Sequence, residues 1–405
     1  MLKANQMPNV KIRMYNVGFG DCFLVTITEK NGKRWRALID CGSIKMPESH
    51  SLERVVAHLI DEITEDGRAR LDLVIGTHRH KDHVSGFANE RWSEVSVGEV
   101  WLPWTEDPLD PSARCIREAQ SRLAMAVSES RKASPGIDQA EDCDLRLAIN
   151  ALSNERAMAT LHHGFTGVVR RRFLSREKSP TISLSDFPRL RVFVLGPSVR
   201  EQAIRDMDPP VGQSYLRLLQ GCADGEGDSP RPFPVAWEVE AEMGHLGLTE
   251  SEIQEIRQSV EAADNAAATA LDKAVNGTSI FLAFAIGGQT LLFPGDAQWG
   301  TWNLALTDPE NRRLLERATF LKLSHHGSHN GTPVEFVQMD RSASVPVMIS
   351  TCAVEQWADI PRAPLLAELQ AGKFHYFRSD MMKAEAGASW TFNSNLYAEL
   401  ELPLS

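Results

Sequence analysis

Apolar residues fall into short alternating or unbroken runs over much of the chain, and these runs predict strands. Residues 10–16, 23–28 and 35–39 make the first three, with Lys30-Asn31-Gly32-Lys33 as the turn before the third. Leu52, Val55, Val56, Leu59, Ile60 and Ile63 recur at helical spacing instead, which predicts a helix over 51–65 with one apolar face. A largely apolar run from Leu71 to Ile75 reads as a buried strand, and residues 99–104 as another. From 111 to about 186 the pattern turns polar and helix-rich, clearest over 114–131, and it is too long for an ordinary connection. Strand pattern returns over 190–195. A second interruption holds a loop around Asp224-Gly225-Glu226-Gly227-Asp228 and a helix over 249–273 that opens on Thr249-Glu250-Ser251-Glu252. Strands resume at 278–284, 289–293, 320–323, 345–350 and 374–377, and 390–404 alternates like a hairpin. The expectation is one α/β domain over 8–405, with a helical insertion at 105–187 and a second insertion at 205–275.

The strand ending at Ile75 leads into His78-Arg79-His80-Lys81-Asp82-His83, the densest set of metal-ligand side chains in the chain. His78 and His80 are two apart, so in extended backbone their rings share a side. This mixed nitrogen and oxygen set suits Zn²⁺, Mn²⁺ or Fe and is too nitrogen-rich for Ca²⁺. Asp21 and Asp40 each stand at the end of a predicted strand or glycine turn, either near a metal or as turn aspartates. Leu161-His162-His163-Gly164 reads as a solvent-facing or lid pair, and Arg170-Arg171-Arg172 as a solvated basic face.

His78-x-His80-x-Asp82-His83 resembles the signature of the metallo-β-lactamase fold superfamily. Val17-Gly18-Phe19-Gly20-Asp21-Cys22, Ala37-Leu38-Ile39-Asp40-Cys41-Gly42, Leu292-Phe293-Pro294-Gly295-Asp296 and Leu323-Ser324-His325-His326-Gly327-Ser328 follow in the order seen in the hydrolase domain of the ComEC competence family. That resemblance implies a four-layer αββα metallo-β-lactamase sandwich and a hydrolase working through a metal-activated water. It implies metal ligands His78, His80, Asp82, His83, Asp296 and His325, with Asp296 between two ions and catalytic roles for Asp82, Asp296 and His326. His325 is favoured over His326 as the ligand because neighbours in extended backbone face opposite ways. Asp21, Asp40, Asn276, Lys322, Ser328 and His329 are expected as supporting or substrate-contacting residues. One departure stands out: Asn276 occupies the place where the superfamily has a further histidine. An amide oxygen is the weaker ligand, so two Zn or Mn ions with uneven occupancy are expected, and Asn276→His should tighten binding.

The branch resembled favours a phosphodiester substrate, DNA or a nucleotide, over a small ester or lactone. Net charge is −11, from 43 basic and 54 acidic residues, which argues against a broad electrostatic footprint for long nucleic acid and leaves room for a local basic cleft. No apolar run approaches the roughly 18 residues of a membrane span. Met1 to Asn9 lacks the features of a signal peptide, so no membrane insertion and a cytoplasmic location are expected, and the membrane channel of the ComEC arrangement is not. The cysteines, Cys22, Cys41, Cys115, Cys143, Cys222 and Cys352, show no metal-type spacing and are read as reduced thiols. The helical insertions offer a surface for a protein partner, which leaves open a metal-binding subunit of a larger complex.

Overall fold

The computed structural model describes residues 7–133, 154–215, 267–352, 359–381, 390–393 and 395–405. Two mixed sheets lie face to face. The first runs β15-β16-β1-β2-β3-β5-β6-β7, with the short β4 pairing β5. Its strands are β1 (Asn9–Tyr15), β2 (Cys22–Thr28), β3 (Arg34–Cys41), β4 (Thr64–Glu65), β5 (Arg68–Ile75), β6 (Ser96–Pro103), β7 (Arg170–Leu174), β15 (Trp390–Asn393) and β16 (Tyr397–Pro403). The second runs β14-β13-β12-β11-β10-β9-β8. It is built from β8 (Thr181–Leu184), β9 (Phe187–Gly196), β10 (Phe281–Ile286), β11 (Gln289–Phe293), β12 (Phe320–Lys322), β13 (Val345–Ile349) and β14 (Phe374–Arg378). Each sheet changes from antiparallel to parallel pairing part-way across, after β3 in the first and after β11 in the second.

Alternation along the strands explains the layering. Ile12, Met14, Phe23, Val25, Ala37, Ile39, Leu73 and Ile75 turn to the middle, where they meet Val192, Val194, Leu282, Phe284, Leu291 and Phe293 of the other sheet. The alternate residues Leu24, Leu38 and Val74 face outward onto α1 (Leu52–Glu62), which buries Val55, Val56, Leu59 and Ile60. Ser51 caps that helix, its side chain accepting from the Arg54 amide. On the far side Ala283, Leu292, Leu321 and Val347 pack against Trp302, Phe336, Leu365 and Leu369 from helices at Trp299–Thr307, Val334–Val337 and Ala363–Ala371. The result is the four-layer αββα sandwich. Parallel strands are apolar on both faces because both are covered.

The described residues of the first insertion include both helix and strand. Its described helices are α3 (Pro111–Ala133) and the turns from Glu155 to Gly164, whereas β7 and β8 are edge strands of the two sheets. Arg170 and Arg172 sit on β7, with both guanidinium groups turned to Glu99 on β6. Charge on a sheet edge blocks further strand pairing, and this is why the strand reads as a solvated face. Of the helix expected over 249–273, the described part covers 267–276, and the acidic loop lies outside the described residues. Among the described residues no helix is long and apolar enough to cross a membrane.

Candidate metal centre

The ends of parallel strands deliver the site. β5 stops at Ile75 and the chain turns through Gly76 and Thr77 into His78, His80 and the short α2 (Lys81–Val84), which carries Asp82 and His83. From the other sheet, β11 leads to Asp296, and β12 to His325 and His326. Open α/β sheets place ligand sites beyond the carboxyl ends of their strands for this topological reason.

Two glycines let the backbone close around α2. A Cβ on Gly42 would lie 2.5 Å from the Lys81 carbonyl oxygen and 2.6 Å from the carbonyl carbon of His83. One on Gly20 would lie 2.6 Å from the Asp82 carbonyl oxygen, which also accepts the Asp21 amide at 2.9 Å. Gly42→Ala should therefore destabilise the protein by about 1–3 kcal/mol through overpacking and weaken metal binding as α2 shifts. Urea denaturation alongside a metal titration checks both effects.

Asp82, His83, Asp296 and His326 are all buried, and one ligand atom from each lies within 4.8 Å of the others. His83 Nε2 is 3.2 Å from Asp296 Oδ2 and 3.6 Å from Asp82 Oδ2. His326 Nε2 is 3.2 Å from Asp82 Oδ2 and 3.6 Å from Asp296 Oδ2. Donors each about 2.1 Å from one tetrahedral ion stand about 3.4 Å apart, so this spacing suits a shared cation. Both rings are oriented from behind. His83 Nδ1 lies 2.8 Å from Asp40 Oδ2, and Asp40 is itself fixed by the Thr77 amide and hydroxyl, both at 2.7 Å. His326 Nδ1 donates to the Ser350 carbonyl at 2.8 Å. Such outer partners set the tautomer and leave Nε2 free to bind.

The fit to a metal also shows in what lacks a partner. His80 Nε2, Asp82 Oδ1, His83 Nε2, Asp21 Oδ1 and Asn276 Oδ1 are buried without a hydrogen bond. Buried polar atoms are rarely left so, and carboxylate and imidazole atoms among them are donors of the kind a cation takes up. Charge tells the same story. Burial holds His78 far below the usual histidine range and His80 down to about 4, so both rings are neutral at neutral pH, the form that binds metal. For His83 burial also pulls down, but Asp296, Asp82 and Asp40 together outweigh it and raise the ring well above its ordinary value. Asp296 and Asp82 are the counterparts, held below the carboxylate range despite burial, Asp296 by His83 and Lys322, Asp82 by His83 and His326.

Among the expected residues, Lys322 is buried and bonded to Asp21, to Asp296 Oδ1 at 3.1 Å and to the Gly295 carbonyl at 2.9 Å. It is thus committed to the site's own carboxylates. Ser328 is buried, its amide donating to the His325 carbonyl, while His329 lies nearer the surface beside Asp208. His325 does not join the four donors. Its Nδ1 meets Asn330 Oδ1 at 3.0 Å and its Nε2 lies 3.3 Å from Asn276 Nδ2. The reason is local backbone: His325 (φ 48°) and His326 (φ 51°) are both left-handed, so the rule for extended neighbours does not apply to them. Consecutive left-handed residues cost energy and cluster at functional sites. His162 stacks on Phe173, away from the motif's donors.

One residue was beyond sequence reasoning. Asp272, in the helical segment 267–276, places Oδ1 at 3.6 Å from His80 Nε2. Burial, with Asp82 and Asp296 adding to it, pushes its carboxyl up to about 7. A lone aspartate in a helical stretch, followed by Lys273, reads in the sequence as a solvated surface residue.

No known protein-family profile matches the chain, and no curated protein does. Among solved structures, the 1.98-angstrom crystal structure of Zn(2+)-bound PqqB from Methylobacterium extorquens is similar at a TM-score of 0.36 and 11% identity, covering 89% of this chain and 86% of that one. At that distance the likeness says nothing about activity or metal.

Proposed function

We propose that the protein is a metal-dependent hydrolase of the metallo-β-lactamase superfamily, acting on phosphodiesters. The observation that carries this reading is the buried Asp82, His83, Asp296 and His326 group, drawn from both sheets, with one ligand atom of each within 4.8 Å of the others. These four would hold one ion, and His78 and His80 belong to a neighbouring position; Zn²⁺ and Mn²⁺ both suit the donors. A bound cation of this kind acidifies water and stabilises oxyanion charge at phosphorus or carbonyl carbon. The chain's own contribution is preorganisation: Asp40 and Ser350 lock the two rings, and Lys322 holds one oxygen of Asp296 so that the other faces His83.

The preference for a phosphodiester comes from the resemblance of the motifs; a cavity of about 450 Å³ lined by Arg79, Arg117 and Arg122 with Glu118 and Glu155 holds none of the site's donors and has no part in it. The net charge of −11 favours as second reading a small ester, lactone or nucleotide-like substrate over long DNA.

The test is hydrolysis of bis(p-nitrophenyl) phosphate, p-nitrophenyl acetate, and linear, single-stranded and circular DNA after loading with Mn²⁺ or Zn²⁺. Wild type is compared with Asp82→Ala and His83→Ala. Metal-dependent phosphodiester cleavage that both variants lose is the expected result. Metal bound with only the acetate cleaved would move the assignment to esters, and no turnover of any substrate would overturn it.

A further inference from the structure

The second sheet carries a basic cleft that the metal centre does not use. β9 turns Leu190, Val192 and Val194 to the middle of the sandwich, so Arg191 and Phe193 face outward, towards the helices at Trp299–Thr307 and Pro309–Glu316. A cavity of about 650 Å³ opens there, bordered by Arg176, Arg191, Arg200, Arg313 and Arg317. No lysine lines it, and the acidic residues at its wall, Glu177, Asp308 and Glu310, are outnumbered. Each of these acids has a role of its own. Glu177 accepts the Ser198 hydroxyl at 2.6 Å and the Val199 amide at 3.0 Å. Asp308 caps the helix Pro309–Glu316 through the Glu310 and Asn311 amides and takes Arg176 at 3.1 Å. Glu310 sits in the first turn of that helix, where the dipole favours an acid. Among the described residues Arg191, Arg200, Arg313 and Arg317 have no ion-pair partner.

In a chain of net charge −11, five arginines from separate segments around one cavity are a local reversal of sign. The helix Pro309–Glu316 shows that the reversal is directional. Arg312 pairs with Glu316 and Glu335, whereas Arg313 and Arg317, four apart, border the cavity as like charges, a spacing that by itself destabilises a helix. Arg191 is held over the Phe193 ring at 5.0 Å, which fixes the guanidinium and leaves its N–H donors unspent. Planar guanidinium groups match phosphate oxygens two at a time, and a cavity of this volume is in the range of small-molecule sites. Phe193, Leu304 and Leu314 add an apolar wall. We propose that this cavity binds a polyphosphate-bearing ligand of nucleotide size, its phosphates on the arginines and its remaining part on the apolar wall. The site goes beyond the hydrolytic reading and does not depend on it, since none of the four metal donors lines the cavity.

The experiment is isothermal titration calorimetry of the purified protein, with and without added metal, against the non-hydrolysable nucleotide AMP-PNP, tripolyphosphate, adenosine and a single-stranded DNA oligonucleotide. AMP-PNP should bind wild type at one site in both conditions, and adenosine should not bind. Arg191→Gln, and Arg313→Gln combined with Arg317→Gln, should each weaken AMP-PNP at least about tenfold, the worth of a hydrogen bond to a charged group. These three arginines are exposed, so the fold tolerates their replacement. Arg312→Gln, on the same helix but paired elsewhere, should leave affinity unchanged. AMP-PNP binding more tightly than tripolyphosphate would assign the site to a nucleotide, and equal binding to the phosphate chain alone; either supports the proposal. It would be overturned by no binding at about 1 mM AMP-PNP, by binding that requires metal, by arginine variants that bind like wild type, or by an equal loss in Arg312→Gln. DNA bound more tightly than AMP-PNP with the same arginine dependence would also overturn it, in favour of a nucleic-acid surface.

Discussion

Asp296→Asn should yield a folded protein that has lost most of its metal affinity and hydrolysis together. The amide matches the carboxylate in size, and the residue is 1% exposed in a packed turn, so shape is kept while charge is removed. What disappears is the anionic oxygen 3.2 Å from His83 Nε2 and 3.6 Å from His326 Nε2, the second sheet's carboxylate in the four-donor group. Loss of an outer-shell partner costs roughly 10–100-fold, so loss of this donor should exceed about 100-fold in kcat/KM on bis(p-nitrophenyl) phosphate. Retained turnover and retained metal in Asp296→Asn would remove Asp296 from the chemistry.

Lys322→Met should be the most destabilising single change at the centre. The ammonium is 2% exposed and binds both Asp21 and Asp296 Oδ1, so a methionine of similar length fills the space and leaves two buried carboxylates short of a cation. Breaking a buried pair from one side costs about 3–5 kcal/mol. Urea denaturation of the metal-free proteins measures it, and Asp21→Asn added to Lys322→Met should recover part of the loss. The pH behaviour has a definite sign. Burial works to lower the lysine's pKa, but Asp21 and Asp296 outweigh it and raise it above the ordinary value. A raised folded pKa gives stabilisation that is complete below the unfolded value of about 10.4 and fades only as pH rises through the folded one. The gap between wild type and Lys322→Met should therefore stay flat from about pH 6 to 9 as far as this lysine is concerned. A gap under about 1 kcal/mol would show the carboxylates to be neutralised by other means.

Much of this architecture can be read from period and punctuation. The alternation of Val10, Ile12 and Met14, and the run ending at Ile75, announce covered strands, and a strand that ends in His78-x-His80-x-Asp82-His83 announces what it carries. Asp40 was legible as an aspartate near the site, though only packing reveals that it grips His83. Two things were not legible. Choosing between His325 and His326 needs backbone torsions, since β12 stops at Lys322 and both histidines are left-handed instead of extended. Asp272 is a tertiary residue in the full sense: it reaches His80 because α3 holds its helix in place, across a sequence gap that no local rule bridges. Likewise β7 hides because edge strands carry charge instead of the apolar alternation by which strands are found.

The pairing of β1 with β16, from Asn9 opposite Pro403 to Tyr15 opposite Tyr397, sets a timetable for biosynthesis. β1 finds β2 almost at once, but its other flank stays open until the ribosome has made residues 397–403. At about 5–20 residues per second that wait lasts roughly 20–80 s. Throughout it the nascent chain displays an unpaired, apolar strand edge, the kind of template on which neighbouring polypeptides aggregate. Yield in the cell should accordingly depend on chaperone supply more than the stability of the finished sandwich would suggest.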